Sequence, residues 1–129
     1  ELKVLEYDAS DGKKFFISFD DVKLDKLCAL LRLRFSSYSL QNKKHFIKEL
    51  DGAAIIREIH TYGAQVPISE QDDRASQHHG FGKKLIIRAE EIAKKSGFKK
   101  IAAIAGVGVR EYWRSRGYEL EGTYMVKRL

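Results

Sequence analysis

Cysteine, methionine and long apolar runs are nearly absent from this sequence. One of its 129 residues is cysteine, Cys28, so the chain cannot form an internal disulfide. Such cysteine usage is typical of a protein from a reducing compartment. No stretch approaches the roughly 20 apolar residues of a membrane span, and residues 1–20 lack the apolar region of a secretory signal. The composition therefore predicts a soluble, cytoplasmic protein with no membrane partner.

Acidic side chains are scarce in the C-terminal part of the chain. Residues 83–129 carry 12 basic and five acidic side chains, whereas residues 1–82 carry 12 and 13. A local excess of positive charge attracts polyanions, either nucleic acid or the phosphates of a coenzyme. The alternative is an ordinary solvated surface, and the salt dependence of RNA affinity would separate these two interpretations.

An amphipathic segment follows a pair of glycines. Within residues 83–97 the apolar side chains recur at helical spacing, at Leu85, Ile86, Ala89, Ile92 and Ala93. Glu90 with Lys94, and Glu91 with Lys95, are i,i+4 pairs predicted on the solvent side. The segment predicts a helix with one buried face, and Gly97 is placed to end it.

Short strands are predicted before and after this helix. The predicted strands are residues 1–7, 13–19, 27–35, 53–61 and 99–105, with the last strands within 118–129. Residues 8–12 predict a turn, residues 36–51 and 65–76 predict surface loops, and residues 106–116 predict a short helix ended by Gly117. A chain of 129 residues is long enough for one domain with a single core.

Gly80 and Gly82 are expected to stand just before the predicted helix. The first amide N–H groups of a helix have no partner, and the helix dipole adds partial positive charge there, so such an end binds phosphate. Glycine can take positive φ and has no Cβ, which lets the main chain wrap a pyrophosphate. An ordinary loop is the alternative interpretation.

The spacing of Gln77, Gly80 and Gly82 resembles the pyrophosphate loop of the GCN5-related N-acetyltransferases, which bind acetyl-coenzyme A. Further segments resemble the C-terminal acetyltransferase domain of the Elp3 family, the catalytic subunit of Elongator. They are residues 30–34, 57–63, 66–67, 77–82, 104–110, 117–118 and 124–127. The resemblance covers nearly the whole chain and consists of several separate motifs in one order.

The resemblance implies an α/β acyl-CoA N-acyltransferase (GNAT) fold. In this fold helices flank a mixed central sheet, and the fourth and fifth strands part in a V-shaped split that receives acetyl-CoA. The pantetheine arm of the coenzyme then lies along the fourth strand like an added strand, held by main-chain groups. Residues 1–129 are accordingly expected to form one acetyl-CoA-binding domain.

The matching motifs imply a set of candidate residues that bind acetyl-CoA. They are Glu58, Ile59, His60 and Thr61 on the fourth strand, Gln77, Gly80, Phe81, Gly82 and Lys83 at the phosphate loop, and Tyr112 and Trp113 on the short helix. The strand residues are expected to flank the acetyl group largely through their backbone. A packed histidine and a paired carboxylate are the alternatives for His60 and Glu58, and neither is assigned as a general base.

Tyr112 and Tyr118 are the candidate catalytic residues. Many relatives keep a tyrosine four residues before the glycine that is Gly117 here, and that tyrosine protonates the departing CoA thiolate. This chain has Trp113 there, and an indole cannot give up a proton at neutral pH. Either Tyr112 or a water replaces it, or no acid is needed, because a thiol pKa near 8.5 already makes a fair leaving group. Packing beside the coenzyme is the alternative for Tyr112 and Trp113.

His78 and His79 are adjacent, which raises the question of a metal site. Adjacent residues rarely share one ion without further ligands, and no cluster of cysteine or histidine lies near them in sequence. We therefore expect no bound metal in this chain. Relatives more usually have glutamine where His79 stands, and a phosphate loop that works through backbone N–H groups should tolerate that change.

By resemblance, the function is that of an Elp3-like enzyme that modifies the wobble uridine of tRNA at C5. The thioester of acetyl-CoA would be opened in this domain. The acetyl group would be joined to tRNA by a radical S-adenosylmethionine domain that carries a 4Fe-4S cluster and is absent here. The chain begins without methionine and in structured-looking sequence, so we expect a fragment or a processed chain, bound to tRNA through its basic C-terminal part.

Two alternatives remain open from the sequence. A protein lysine N-acetyltransferase would use the same coenzyme cleft, but it needs a base to deprotonate an ammonium group, and no carboxylate stands at an evident position. A non-catalytic module that senses acetyl-CoA or binds tRNA would show no turnover of acetyl-CoA.

Overall fold

A computed structural model describes residues 1–9, 12–21, 26–36, 50–61 and 71–129, with the backbone alone for residues 9, 71–79 and 107. The elements are β1 (Leu2–Ala9), β2 (Gly12–Asp21), β3 (Lys26–Ser36), β4 (Ala54–Thr61), α1 (Gln71–Lys95), β5 (Lys100–Ile104), α2 (Arg110–Ser115), β6 (Glu119–Glu121) and β7 (Tyr124–Arg128). A 3₁₀ turn, Val107–Val109, leads into α2. Within the described ranges, no helix combines the length and apolar composition that a membrane crossing needs.

The described strands form one mixed sheet in the order β1-β2-β3-β4-β5-β7-β6. The pair β4 and β5 is parallel, and every other neighbouring pair is antiparallel. A parallel neighbour requires a crossover connection, which includes α1 here. The α/β class and the mixed sheet predicted for the GNAT fold are confirmed.

The core lies mainly between one face of the sheet and the two helices. The buried side of α1 contributes Leu85, Ile86, Ala89 and Ala93, and the strands contribute alternate residues such as Ile17, Leu31, Leu33 and Ile56. A smaller cluster on the other face contains Leu50, Ala53, Ile55, Ala102 and Val126. The predicted apolar face of the helix is therefore confirmed at four of its five positions, and Ile92 packs at the margin of the same cluster.

The helix begins earlier than the sequence pattern predicts. It starts at Gln71, so Gly80 and Gly82 lie in its interior, and neither is among the glycines with positive φ. An α-helix pairs each of these amides with a carbonyl four residues earlier, so their N–H groups are not at the mouth of the helix. The prediction of a loop over residues 71–82 is wrong for this structure; glycine accepts helical backbone angles at a cost of about 1 kcal/mol relative to alanine.

Both predicted helix ends are confirmed. Gly97 has φ of +95° and follows α1, where the Phe98 amide donates to the Ala93 carbonyl at 3.0 Å. Gly117 has the same φ and follows α2 in the same way. Glycine is favoured there because the left-handed conformation is strained for residues with a Cβ.

The remaining predictions divide into confirmed elements and segments outside the described residues. The structure confirms the hairpin of β1 and β2 and the strands β3 and β4. Each of these strands begins and ends within two residues of the predicted positions. Of the predicted loop 36–51, Ser36 belongs to β3 and residues 37–49 lie outside the described residues. Residues 65–70 of the second predicted loop also lie outside them.

Candidate functional site

The parallel strands β4 and β5 pair over three residues and then part. Ala54, Ile55 and Ile56 pair with residues 101–103, after which β4 continues to Thr61 with no further pairing to β5. The edge of β4 from Arg57 to Thr61 therefore presents main-chain N–H and C=O groups without a strand partner among the described residues. Such an edge can bind an extended ligand as an added strand.

A β-bulge lies at the point where the two strands part. In the pairing of β3 with β4 the register shifts between Arg32 and Leu33, so that Arg57 is the extra residue. Successive strand residues point to opposite faces, and one extra residue reverses that alternation. Ile56 belongs to the core, whereas Glu58 is paired across from the exposed Arg32, and Ile59 returns to the core side.

Thr61, Gly82 and Tyr112 meet on the α1 side of the split. A Cβ placed on Gly82 would lie 3.2 Å from the Tyr112 Oη and 3.8 Å from the Thr61 Cγ2. The end of β4, the interior of α1 and the start of α2 thus converge on one point. Glycine at position 82 allows this close approach, because a side chain there would displace the tyrosine hydroxyl.

Among the tyrosines that the structure describes, Tyr112 has its hydroxyl at this point. Its side chain is 43% exposed, and burial raises its pKa, an effect that the charge of Arg116 partly offsets. The phenol therefore stays protonated at neutral pH and can donate a hydrogen bond or a proton. Of the two predicted catalytic tyrosines, this one lies at the split.

Tyr118 lies elsewhere and has a different set of partners. It is 1% exposed, its hydroxyl donates to the Glu90 Oε2 at 2.7 Å, and the Lys127 Nζ approaches the Glu90 Oε1 at 3.2 Å. Burial, and then the hydrogen bond and charge of Glu90, raise the Tyr118 pKa far above its ordinary value. These contacts hold the Tyr118 side chain in the core with its hydroxyl on Glu90. Tyr118 was predicted as a catalytic residue, but the structure does not place it at the split.

Trp113 is also a core residue. It is 3% exposed and packs edge-on against Tyr118, with ring centroids 4.9 Å apart. Its neighbour Tyr112 points out from the same short helix, with ring centroids 6.0 Å apart. Trp113 therefore packs in the core, and the structure does not place this side chain at the split, where both binding of acetyl-CoA and packing beside it would require it.

Glu58 and His60 form a hydrogen-bonded pair on the face of β4 away from α1. The His60 Nε2 lies 2.7 Å from the Glu58 Oε1, and the Arg32 Nε donates to the Glu58 Oε2 at 3.1 Å. The guanidinium of Arg32 in turn lies 5.7 Å from the centroid of the Phe16 ring. All three charged or polar side chains are about half exposed. Sequence reasoning did not connect Arg32 with this strand, because the contact depends on the cross-strand register.

The residues predicted at the phosphate loop have separate surroundings. Phe81 stacks on Phe19 with ring centroids 4.7 Å apart, and Lys83 is exposed. The backbone of Gln77 lies in α1, and its side chain is outside the described residues. The structure thus brings Thr61, Gly82 and Tyr112 together, while the predicted phosphate-binding amides lie in a continuous helix.

Two further predictions concern charge and metal. Glu90 pairs with Lys127 rather than with Lys94, and Glu91 pairs with Arg88, so both predicted i,i+4 pairs are wrong. Among the described residues there is no group of three or more His, Cys, Asp or Glu side chains that could hold a metal ion. His78 and His79 are described by backbone alone.

Comparison with known proteins finds matches along the whole chain. It is 45% identical over 130 residues to Elongator complex protein 3 of Saccharomyces cerevisiae, covering 100% of this chain and 23% of that protein. It is 44% identical over 131 residues to the tRNA uridine(34) acetyltransferase of Dehalococcoides mccartyi, covering 99% of this chain and 28% of that protein. The chain thus spans about a quarter of the length of these relatives. No protein-family model matches the chain.

Solved structures agree with these sequence matches. The archaeal Elp3 of Methanocaldococcus infernus superposes with a TM-score of 0.81 and 40% identity, over 100% of this chain and 30% of that chain. GCN5 of Tetrahymena superposes with a TM-score of 0.54 and 12% identity, over 89% of this chain and 68% of that one. The second similarity shows the fold alone.

Proposed function

We propose that the chain is the acetyl-CoA-binding acetyltransferase domain of an enzyme of the Elongator complex protein 3 and tRNA uridine(34) acetyltransferase family. It is homologous over its whole length to one segment of these proteins, and it has the GNAT fold. The observation that carries the proposal is the edge of β4 from Arg57 to Thr61, which has no strand partner on the β5 side among the described residues and ends beside the Tyr112 hydroxyl. This edge can hold the pantetheine arm, and the hydroxyl can reach the thioester sulfur.

The surface around the split suits a thioester carrier. Ile104 ends β5, and Val109 and Tyr112 follow it in the chain; all three are large apolar side chains left exposed. Pantetheine offers alternating amide and methylene groups, so main-chain hydrogen bonds on one side and apolar contacts on the other match its chemistry. Glu58, Ile59, His60 and Thr61 would flank the acetyl group, as the motif implies.

The diphosphate of acetyl-CoA would bind the amides of residues 80–83, as the glycine motif implies. In α1 these amides are paired within the helix, so this mode of binding requires the first turns of α1 to open. Two glycines so close together make that segment one of the cheaper parts of the helix to unwind. Lys83 is exposed and would add positive charge beside the diphosphate.

Calorimetric titration with acetyl-CoA tests the binding proposal. We expect saturable binding by the protein, and a large loss of affinity in Gly82→Trp, because an indole at this position would collide with Tyr112 and fill the split. Gly52→Trp is a control with the same side chain in a turn outside the split; because φ is +69° there, this variant should lose some stability but keep the affinity of the wild type. An absence of binding at millimolar acetyl-CoA would contradict the proposal.

Transfer to tRNA belongs to the same proposal. The relatives that share this segment include proteins named for tRNA uridine(34) acetylation, and the basic residues concentrate in the C-terminal part of the chain. The bond to uridine C5 would be formed in a radical S-adenosylmethionine domain outside this chain. A chain with one cysteine cannot supply three thiolates to an iron–sulfur cluster, so we derive no step through that group.

Acetylation of protein lysines is the second candidate, and one observation favours it. The lysine ammonium must lose a proton before it attacks a thioester, and the hydrogen-bonded pair of Glu58 and His60 would be the proton acceptor at the strand that flanks the acetyl group. Mass spectrometry of tRNA and of bulk protein after deletion of the gene separates the two candidates. Loss of the modified uridine supports the first, and loss of lysine acetylation alone supports the second. A non-catalytic module would leave both unchanged.

A further inference from the structure

Basic and aromatic side chains share the outward face of β1, β2 and β3, which is the face that points away from the two helices. Ile17 and Leu33 belong to the core with α1, so their neighbours along each strand point to the opposite face. On that face, cross-strand neighbours form two rows, which are Tyr7, Lys14 and Arg34, and Leu5, Phe16 and Arg32. Residues 1–82 carry 12 basic and 13 acidic side chains, so charge along the sequence does not predict this cluster.

A groove of about 270 Å³ lies on this face and is predominantly basic. Four of its eight lining residues are cations, and one is a carboxylate, that of Glu58. Arg57 is the extra residue of the β4 bulge, so the bulge adds a cation to the groove. A concave surface lined by charges of one sign attracts ligands of the opposite sign. The cations of this basic groove are Lys14, Arg32, Arg34 and Arg57.

The arrangement of these cations suits a bound anion. Lys14 and Arg34 are directly opposite each other in the pairing of β2 with β3. Two like charges at such positions repel each other, and an anion beside both would reduce the repulsion. Arg32 donates from Nε to Glu58 at 3.1 Å and lies 5.7 Å from the centroid of the Phe16 ring, so its position is restrained before any ligand arrives. Guanidinium groups held in this way recognise phosphate oxygens well.

Aromatic and apolar side chains lie among the cations. Tyr7 is 40% exposed and Leu5 is 61% exposed, and both belong to β1 at the edge of the sheet. The half-buried Phe16 is opposite Leu5 in the next strand. Nucleic-acid bases stack on aromatic rings and on guanidinium planes, and an open sheet face with aromatic residues can hold two or three unpaired bases. Because a duplex does not present its base faces, this surface fits an unpaired strand.

We propose, on the basis of the proposed action on tRNA, that this outward face binds an unpaired segment of RNA. The phosphates lie beside the cations of the basic groove, and the bases stack on Tyr7 and Phe16. Glu58 of β4 also lines the groove, and β4 is the strand that would flank the acetyl group, so the bound RNA lies next to the proposed acetyl site. This surface is on the opposite side of the sheet from α1 and is therefore separate from Lys94 and Lys95.

Fluorescence anisotropy with a labelled single-stranded oligouridine at several salt concentrations tests the role of the cations. Lys14→Gln and Arg57→Gln should each weaken binding severalfold and lower the slope of log affinity against log salt by about 0.7, the value for one phosphate contact on a single strand. Lys13→Gln is the matched control. Lys13 precedes Lys14 in sequence but is opposite Phe35, a core residue on the α1 side, so this variant should change neither value.

Substitutions at Tyr7 test base stacking. Tyr7→Leu keeps an apolar side chain and removes the ring, so it should weaken oligouridine binding about fivefold to 100-fold with an unchanged salt slope. Tyr7→Phe keeps the ring and should bind as the wild type does. An RNA duplex of the same length should compete weakly, because its bases are not open to stacking. Ultraviolet crosslinking followed by mass spectrometry should find the crosslinked base on Tyr7 or Phe16.

The outcomes separate this inference from the acetyl-CoA proposal. Crosslinks confined to residues 83–129, equal competition by the duplex, or wild-type binding of oligouridine by Tyr7→Leu would overturn the RNA surface while acetyl-CoA binding stands. If Lys14→Gln lost as much affinity for acetyl-CoA as for RNA, the groove would belong to the phosphates of the coenzyme, and the inference would also fail. A wild type that binds no acetyl-CoA, with the expected RNA losses in Lys14→Gln and Tyr7→Leu, would remove the acetyl-CoA function and keep the RNA surface.

Discussion

At the scale of single residues, the two tyrosines that the sequence offered as catalytic groups have different surroundings. Tyr112 is partly exposed with its hydroxyl beside Gly82, whereas Tyr118 is buried with its hydroxyl on Glu90. Both lie close to Gly117 in sequence, and nothing in their spacing separates them. The difference arises because Tyr112 lies on the outward side of α2, whereas Tyr118 follows the turn at Gly117 and packs in the core.

The first prediction compares phenylalanine substitutions at these two positions. Tyr118→Phe should lower the free energy of unfolding by about 1–3 kcal/mol, because a carboxylate that is only 14% exposed loses a donor. It should leave acetyl-CoA affinity unchanged. Tyr112→Phe should lower thiol release from acetyl-CoA with little effect on unfolding. Denaturant unfolding and calorimetry of both variants check this, and a Tyr118→Phe variant as stable as the wild type would contradict it.

The second prediction concerns alkaline pH. Burial, with a further contribution from Glu90, raises the Tyr118 pKa above its ordinary value of 10.0, so the folded state holds this proton more tightly than the unfolded state. Below pH 10 the resulting stability is fully present, and above it stability falls by up to about 1.4 kcal/mol per pH unit. The decline should be shallower in Tyr118→Phe than in the wild type. Equilibrium unfolding between pH 8 and 11 measures it, with Tyr7→Phe as a control at an exposed tyrosine; equal slopes in all three proteins would argue against it.

At the scale of elements, α1 and β4 each contain a local exception to their own regularity. The helix contains Gly80 and Gly82, and the strand contains the bulge at Arg57. Both exceptions adjoin the split between β4 and β5. The candidate site is built from these two features. Gly82 allows the close approach of Tyr112, and the bulge at Arg57 turns Glu58 to the opposite face of the strand.

The third prediction uses Gly80, where an added Cβ meets nothing within 4 Å. Gly80→Ala should raise the free energy of unfolding by about 0.5–1 kcal/mol, because alanine favours the helix more than glycine does. If acetyl-CoA binds to an opened form of the segment, the same change should weaken acetyl-CoA binding by a comparable free energy.

Thermal unfolding and calorimetry of Gly80→Ala give the two quantities in one protein. The matched control is Gly97→Ala at the end of the same helix, where φ is +95°. That change should destabilise the fold by about 1 kcal/mol and leave the affinity unaltered. A Gly80→Ala protein that is more stable and binds acetyl-CoA as tightly as the wild type would show that the helix need not open.

At the scale of the whole molecule, charge is distributed unevenly along the chain. The formal net charge is +6, and the surplus of basic residues lies in residues 83–129, which contain the second half of α1 and everything that follows it. Lys94 and Lys95 end α1 and are exposed. A surplus of positive charge in one part of a chain favours contact with polyanions there.

The fourth prediction is salt-dependent binding of tRNA by this part. Replacing Lys94 and Lys95 together with glutamine should weaken tRNA binding severalfold and reduce the slope of log affinity against log salt by about one for each lost phosphate contact. Lys13→Gln, in the part of the chain without a basic excess, is the control and should change neither. Filter binding or fluorescence anisotropy at several salt concentrations measures both values, and an unchanged slope in the double variant would place tRNA elsewhere.

The resemblance of its motifs implied the α/β class, and the sequence by itself determined the strands of the hairpin, the apolar face of α1 and the glycines that end both helices. These features depend on local periodicity and on backbone angles that single residues favour, and both can be read along the chain. The motifs in residues 57–63 and 77–82 also indicated the family, since each combines residue identity with spacing.

Only the tertiary structure decided which of these residues meet. The register of β3 against β4 places Arg32 on Glu58, the bulge at Arg57 sets the direction of His60, and the packing of α2 sends Tyr112 to the split and Trp113 to the core. Helical pairing of the amides around Gly80 and Gly82 was likewise decided by the fold. The physical reason is that contacts between residues far apart in sequence depend on strand register and helix packing, which no local pattern of residues specifies.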